Sequence, residues 1–155
     1  MLPLRNILCP IDFSEPSQKA LEVGKELAGH FSAHVHLLHV VPPIHVIPGF
    51  DAPDTITPSL LEDMEASANS KLMKLVEEGF PEGVETSAQV IRGDPAGEIV
   101  RAAGELNADV IVIATQGLTG WRRLMFGSVA AKVIRMSPCP VISIRFEPDA
   151  EESES

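Results

Sequence analysis

At 155 residues, with 45% hydrophobic and 22% charged side chains, the chain suits one domain of ordinary size whose core needs neither disulfide nor structural metal. No apolar run approaches the roughly 18 residues that would span a membrane. A formal charge of −10 argues against a nucleic-acid backbone as partner, because that binding rests on clustered Lys and Arg. Part of the charge is local: residues 147–155 carry Glu147, Asp149, Glu151, Glu152 and Glu154 and no base, which predicts a disordered acidic tail after a domain at 1–146. The opening MLPLRNILCPID has no basic stretch followed by a long apolar segment and a small-residue cleavage site, so a cytoplasmic protein is expected. Cys9 and Cys139 form no ligand or CxxC pattern and are read as buried thiols of a reducing compartment.

The pattern then alternates between strand and helix. Asn6 to Asp12 (NILCPID) is a short apolar run that predicts a buried strand. Ser14 can cap the helix that follows, Pro16 suits its first turn, and Ala20, Val23, Leu27 and Phe31 recur at helical spacing. Ala33 to Val41 (AHVHLLHVV) reads as a second strand, stopped by Pro42 and Pro43. Residues 42–57 are proline-rich and read as a long surface loop of the kind that often carries function. Pro58 opens a helix that closes near Gly79, and VETSAQVIRG predicts a third strand. Asp94 caps a helix with Pro95 just inside, and Asp109 to Thr115 is the most strand-like run of the chain. A glycine-rich loop leads to a helix from Ser128 to about Arg135, and Pro140 to Phe146 is the last strand.

The order β-α-β-α-β-α-β-α-β predicts an α/β fold, an open five-stranded parallel sheet with helices on both faces. Ligands in such folds bind beyond the carboxyl ends of the strands, where the winding reverses. That rule singles out Pro10-Ile11-Asp12, Val40-Val41 and the loop over 115–128. Walker A and GxGxxG patterns are absent, and no GxSxG elbow supports a hydrolase triad. A phospho-receiver reading fails because CPID offers a single acid and the last strand carries Arg145 where a following Lys is needed. His34 and His36 share one strand face, His39 lies on the other and His45 in the loop, with no further ligand at metal spacing. Gly127-Ser128 is the sharper feature: a glycine before a helix start presents N–H groups and a hydroxyl to a phosphate. It also reads simply as a flexible residue before an N-capping serine, as in many helices.

Three stretches carry a resemblance over about residues 4 to 146: ILCPIDFSEPSQKAL, LLHVV and ADVIVIATQGLTGWRRLMFGSVAAKVIRMSPCPVISI. The chain resembles a single-domain universal stress protein of the nucleotide-binding branch, whose signature is G-x2-G-x9-G-[ST]. Laid on this sequence, the motif falls on Ala114, Gly117, Gly127 and Ser128, so Gly120 belongs to the spacer and Ala114 departs from the first glycine. Alanine there weakens the cradle if the position needs positive φ or contact closer than a Cβ allows, and costs little if it is merely a strand end.

The resemblance implies a site for ATP with a divalent cation such as Mg²⁺. Asp12 would approach the nucleoside, Pro10 and Ile11 would line the adenine, Val40 would form an apolar wall, and Val129 would lend a backbone N–H near the phosphates. Asp12 also reads as a cap or turn residue, Val40 as plain core, and Arg122 and Arg123 either as phosphate covers or as a solvated loop face. The resemblance further implies a homodimer through Val141, Ile142, Ser143 and Ile144 of the last strand, which fits the need to pair an apolar edge. The expected function is a regulatory stress-response module rather than an enzyme. The alternatives are a dimeric scaffold that binds no nucleotide and a weak ATPase.

Overall fold

The computed structural model describes residues 2–43, 57–116 and 127–147. Strand and helix alternate through them as β1 (Asn6–Pro10), α1 (Glu15–Phe31), β2 (His34–Val41), α2 (Pro58–Glu77), β3 (Thr86–Arg92), α3 (Pro95–Glu105), β4 (Val110–Ala114), α4 (Ser128–Met136) and β5 (Val141–Ile144). The strands form one parallel sheet in the order β3-β2-β1-β4-β5. This is the α/β architecture the alternation predicts.

The helix starts follow from local chemistry. Ser14 accepts a hydrogen bond from the Ser17 N–H at 3.2 Å, Thr57 from Leu60 at 3.2 Å, and Asp94 from Gly97 at 2.9 Å. Each cap is followed by a proline in the first turn, where its missing N–H costs nothing. α4 begins at Ser128 as expected, with Gly127 at the N-cap position and no capping side chain among the described residues.

The core has two halves, one on each face of the sheet. Ile7, Cys9, Val35, Leu37, Val110 and Val112 pack with Ala20, Leu21 and Ala28 of α1 and Leu72 and Leu75 of α2. On the other face Leu8, Leu38, Val40, Ile111 and Ile113 pack with Ile99 and Ala103 of α3 and Ala130 and Val133 of α4. Successive residues alternate between the halves, as the pleat requires. β1 and β4 are buried on both faces, so they read as continuous apolar runs.

Several boundaries differ from the sequence expectation. β1 ends at Pro10 rather than Asp12, because the chain turns off the sheet over residues 11–14. β5 ends at Ile144 rather than Phe146, and α3 stops at Glu105, with Asn107 in the left-handed region at φ 48°. Cys9 is fully buried as expected, whereas Cys139 is only half-buried. Among the described residues no helix is long and apolar enough to cross a membrane. Most of the 42–57 loop, Gly117, Gly120, Arg122, Arg123 and the acidic segment beyond Glu147 lie outside the described residues.

Candidate functional site

The sheet order makes β1 and β4 neighbours, with the earlier strands on one side and β5 on the other. The winding therefore reverses between them, and their carboxyl ends part to leave a crevice. A cavity of about 330 Å³ sits there, within the roughly 300–1,000 Å³ of small-molecule sites. Of the nine residues singled out from sequence, Pro10, Ile11, Asp12, Val40, Ala114, Gly127, Ser128 and Val129 all line it. Gly117 lies outside the described residues.

The wall from β1 is a tight turn. Ile11 donates its N–H to the Leu38 carbonyl at 2.8 Å, and its own carbonyl accepts from Nδ1 of His39 at 2.7 Å. Asp12 Oδ1 accepts from the Ser14 N–H at 3.0 Å and from the Ser14 hydroxyl. Phe13, between them, holds φ at 65°, a conformation that costs a residue with a Cβ about 1 kcal/mol. Asp12 thus has a turn role, while Ser14 is the residue that caps α1. The turn residue also lines the cavity, so the two readings of Asp12 are compatible.

The opposite wall comes from β4 and α4. The Gly127 N–H donates to the Thr115 carbonyl at 2.6 Å, which closes the neck of the intervening segment. Thr115 in turn donates from its N–H and its hydroxyl to the Ile144 carbonyl, at 3.0 and 3.3 Å. A Cβ on Gly127 would lie 3.3 Å from the Thr115 carbonyl oxygen, so glycine here permits a close main-chain approach. Gly127 brings no side-chain cap, and Ser128, Val129 and Ala130 of the first turn of α4 line the cavity at the positive end of the helix.

Ala114 is extended strand, paired with Ile144, and is not among the residues of positive φ. Its methyl group packs in the α1 half of the core with Val110 and Val112, whereas Ile113 belongs to the α4 half that walls the cavity. Backbone conformation therefore does not require glycine at this position, although Ala114 still lines the cavity.

Sequence reasoning missed several lining residues. Thr115 and His39 lie at strand ends that the switch-point rule had marked, so the signal was present but not read to the residue. Pro95 and Ile99 arrive from the first turns of α3, and nothing in their local sequence marks them as more than a helix start and a core position. His34 and His36 lie toward the opposite end of β2, where their rings stack at 4.0 Å between centroids.

The model of the universal stress protein family matches residues 3–145. The universal stress protein MJ0531 of Methanocaldococcus jannaschii is 34% identical over 143 residues, covering 91% of this chain and 82% of its own length. Among solved structures, the universal stress protein UspA from Lactobacillus plantarum superposes with a TM-score of 0.76 at 27% identity, over 92% of this chain and 98% of its own. A universal stress protein from Archaeoglobus fulgidus in complex with dAMP shares the fold, with a TM-score of 0.56 at 24% identity over 93% and 99% of the two chains. A β3-β2-β1-β4-β5 sheet with this crevice, matched by family and by structure over nearly its whole length, places the chain in the universal stress protein family.

Proposed function

We propose that this protein binds ATP in the crevice, with Mg²⁺ held chiefly by the phosphates and water, and acts as a homodimeric regulatory module rather than an enzyme. The observation that carries the reading is convergence. An apolar slot, a carboxylate turn and an uncapped helix start, more than 100 residues apart in sequence, line one cavity. The apolar side, with Leu38, Val40, Ile99 and Ile113, suits a flat base. Asp12 can accept from ribose hydroxyls, and the first turn of α4 suits an anion. The dAMP-bound protein of the same fold makes an adenine nucleotide the natural ligand class to test.

The proposed dimer pairs β5, an edge strand of the described sheet, with its copy. Sedimentation at micromolar concentration as a monomer would remove that part of the proposal.

The test is a calorimetric titration of MgATP into nucleotide-free protein, beside Ala114→Gly. The expected result is micromolar binding by both, within about threefold of each other. Binding gained only in the glycine variant would mean the site is disabled, and the dimeric scaffold would replace the nucleotide reading. Phosphate release over hours, followed in the same samples, would identify a weak ATPase.

A further inference from the structure

Three candidates stand outside the contacts already assigned: the stacked His34–His36 pair, the apolar residues exposed on α2, and the underside of the turn that carries Asp12. The last is the one with a defined geometry at the site. His39 is half-buried, and its odd position in β2 puts its ring on the sheet face opposite Leu38 and Val40. There it does two things. Nδ1 meets the Ile11 carbonyl at 2.7 Å, and the ring packs against Phe13 with centroids 4.6 Å apart and planes at 37°. A carbonyl oxygen only accepts, so Nδ1 carries the proton.

These contacts hold a segment that the sheet itself has released. Pairing of β1 with β2 ends at Pro10–Leu38, and Ile11 is tied back by its N–H to Leu38 and by its carbonyl to the His39 side chain. The next residue is Asp12, and the one after it, Phe13, sits at positive φ without being glycine. A conformation of that kind persists only where its surroundings over-determine it. For Phe13 those surroundings are the His39 ring on one contact and Lys71 of α2, whose Nζ lies 5.3 Å from the ring centroid, on another. Asp12 then accepts from Ser14, which begins α1.

We infer that His39 is a positioning residue for the nucleotide site. By donating to the Ile11 carbonyl and packing against Phe13, it fixes the turn from which Asp12 reaches the cavity. This rests on the nucleotide-site reading above. His39 also lines the cavity, and the effect inferred for it is the one exerted through Ile11–Phe13.

The test compares His39→Leu, which removes the donor, with His39→Asn, whose side-chain amide places a donor near the position of Nδ1. MgATP affinity is measured by calorimetry, and amide hydrogen exchange is followed at Phe13 and Ser14 in nucleotide-free protein. The leucine variant should bind about tenfold more weakly, the effect of one lost hydrogen bond to a partly buried carbonyl. It should also exchange faster at the two turn amides, and the asparagine variant should recover both properties. Wild-type affinity and unchanged exchange in His39→Leu would overturn the inference. So would equal losses in both variants, since a bulk packing role gives no rescue. If the wild-type protein binds no nucleotide, the proposed function falls, and the exchange comparison alone judges whether His39 orders the turn.

Discussion

Acidification should destabilise this protein through His36, and the size of the effect follows from where the ring sits. His36 is 9% exposed. Its Nε2 meets Asn6 Oδ1 at 3.1 Å and its Nδ1 meets the Ser87 hydroxyl at 2.7 Å, so both nitrogens are engaged as a neutral ring. Burial, and then the neighbouring His34 ring, push its pKa down from the ordinary 6.5 to about 4. His34 itself has Glu85 at 3.6 Å. A lowered histidine pKa means that the unfolded chain takes up a proton before the folded one does, so stability falls as pH drops below 6.5. The loss is about 2 kcal/mol by pH 5 and about 3 kcal/mol by pH 4, and it levels off below that.

Urea unfolding of the wild-type protein and His36→Gln at pH 7.5, 6 and 5 isolates this term, because every other titrating group is common to both. The glutamine variant starts less stable at pH 7.5, and the gap should narrow by about 2 kcal/mol at pH 5. In thermal melts the wild-type midpoint should move down by roughly 4–8 °C more than that of the variant. Parallel pH dependences would refute the reasoning, since they would mean His36 binds its proton equally in both states.

Two further predictions test the core. Gly24 of α1 crosses β1 so closely that an added Cβ would lie 2.6 Å from Cys9 Sγ. Gly24→Ala should therefore be destabilising by about 1 kcal/mol despite alanine's better helix propensity, and should become stabilising in a Cys9→Ala background; stabilisation by the single change in a thermal melt would contradict this. Burial also pushes the Cys9 thiol up to about 12. An aromatic disulfide reagent should therefore titrate one thiol of the native protein, Cys139, and the second only in denaturant; equal rates for both would show that Cys9 is open to solvent.

Much of the fold was legible in the sequence because its determinants are local. Ser14 and Asp94 announce their helices by the side-chain oxygen that the first turn needs, and β4 announces itself as VIVIA because both its faces are covered. What failed to read were endings set by tertiary contact. β1 looks continuous through Asp12, yet it stops at Pro10 because His39 and Ser14 take the polar groups of the next residues. The α4 start at Ser128 was legible, but not that the N–H of the N-cap Gly127 reaches the Thr115 carbonyl at 2.6 Å. His39 illustrates the same limit. Its partner Ile11 is 28 residues away, and a strand histidine carries no mark of whether its ring meets a carbonyl, a metal or solvent.

The glycine motif is where sequence pattern and structure weigh residues differently. A pattern treats its glycines alike, as places where a side chain is unwelcome. The fold separates them. At 114 the chain is extended strand and pleat parity sends the Cβ into the α1 half of the core, where a methyl group adds packing. At 127 φ is −52°, which any residue could adopt, so the requirement is one of space: a Cβ would press on the Thr115 carbonyl that closes the neck. Thr115 is itself fixed by Ile144, so that carbonyl has little room to yield. An alanine is therefore consistent with a working site at the first position and not at the second. The departure at Ala114 is weak grounds for a lost ligand, whereas the same change at Gly127 would be strong grounds.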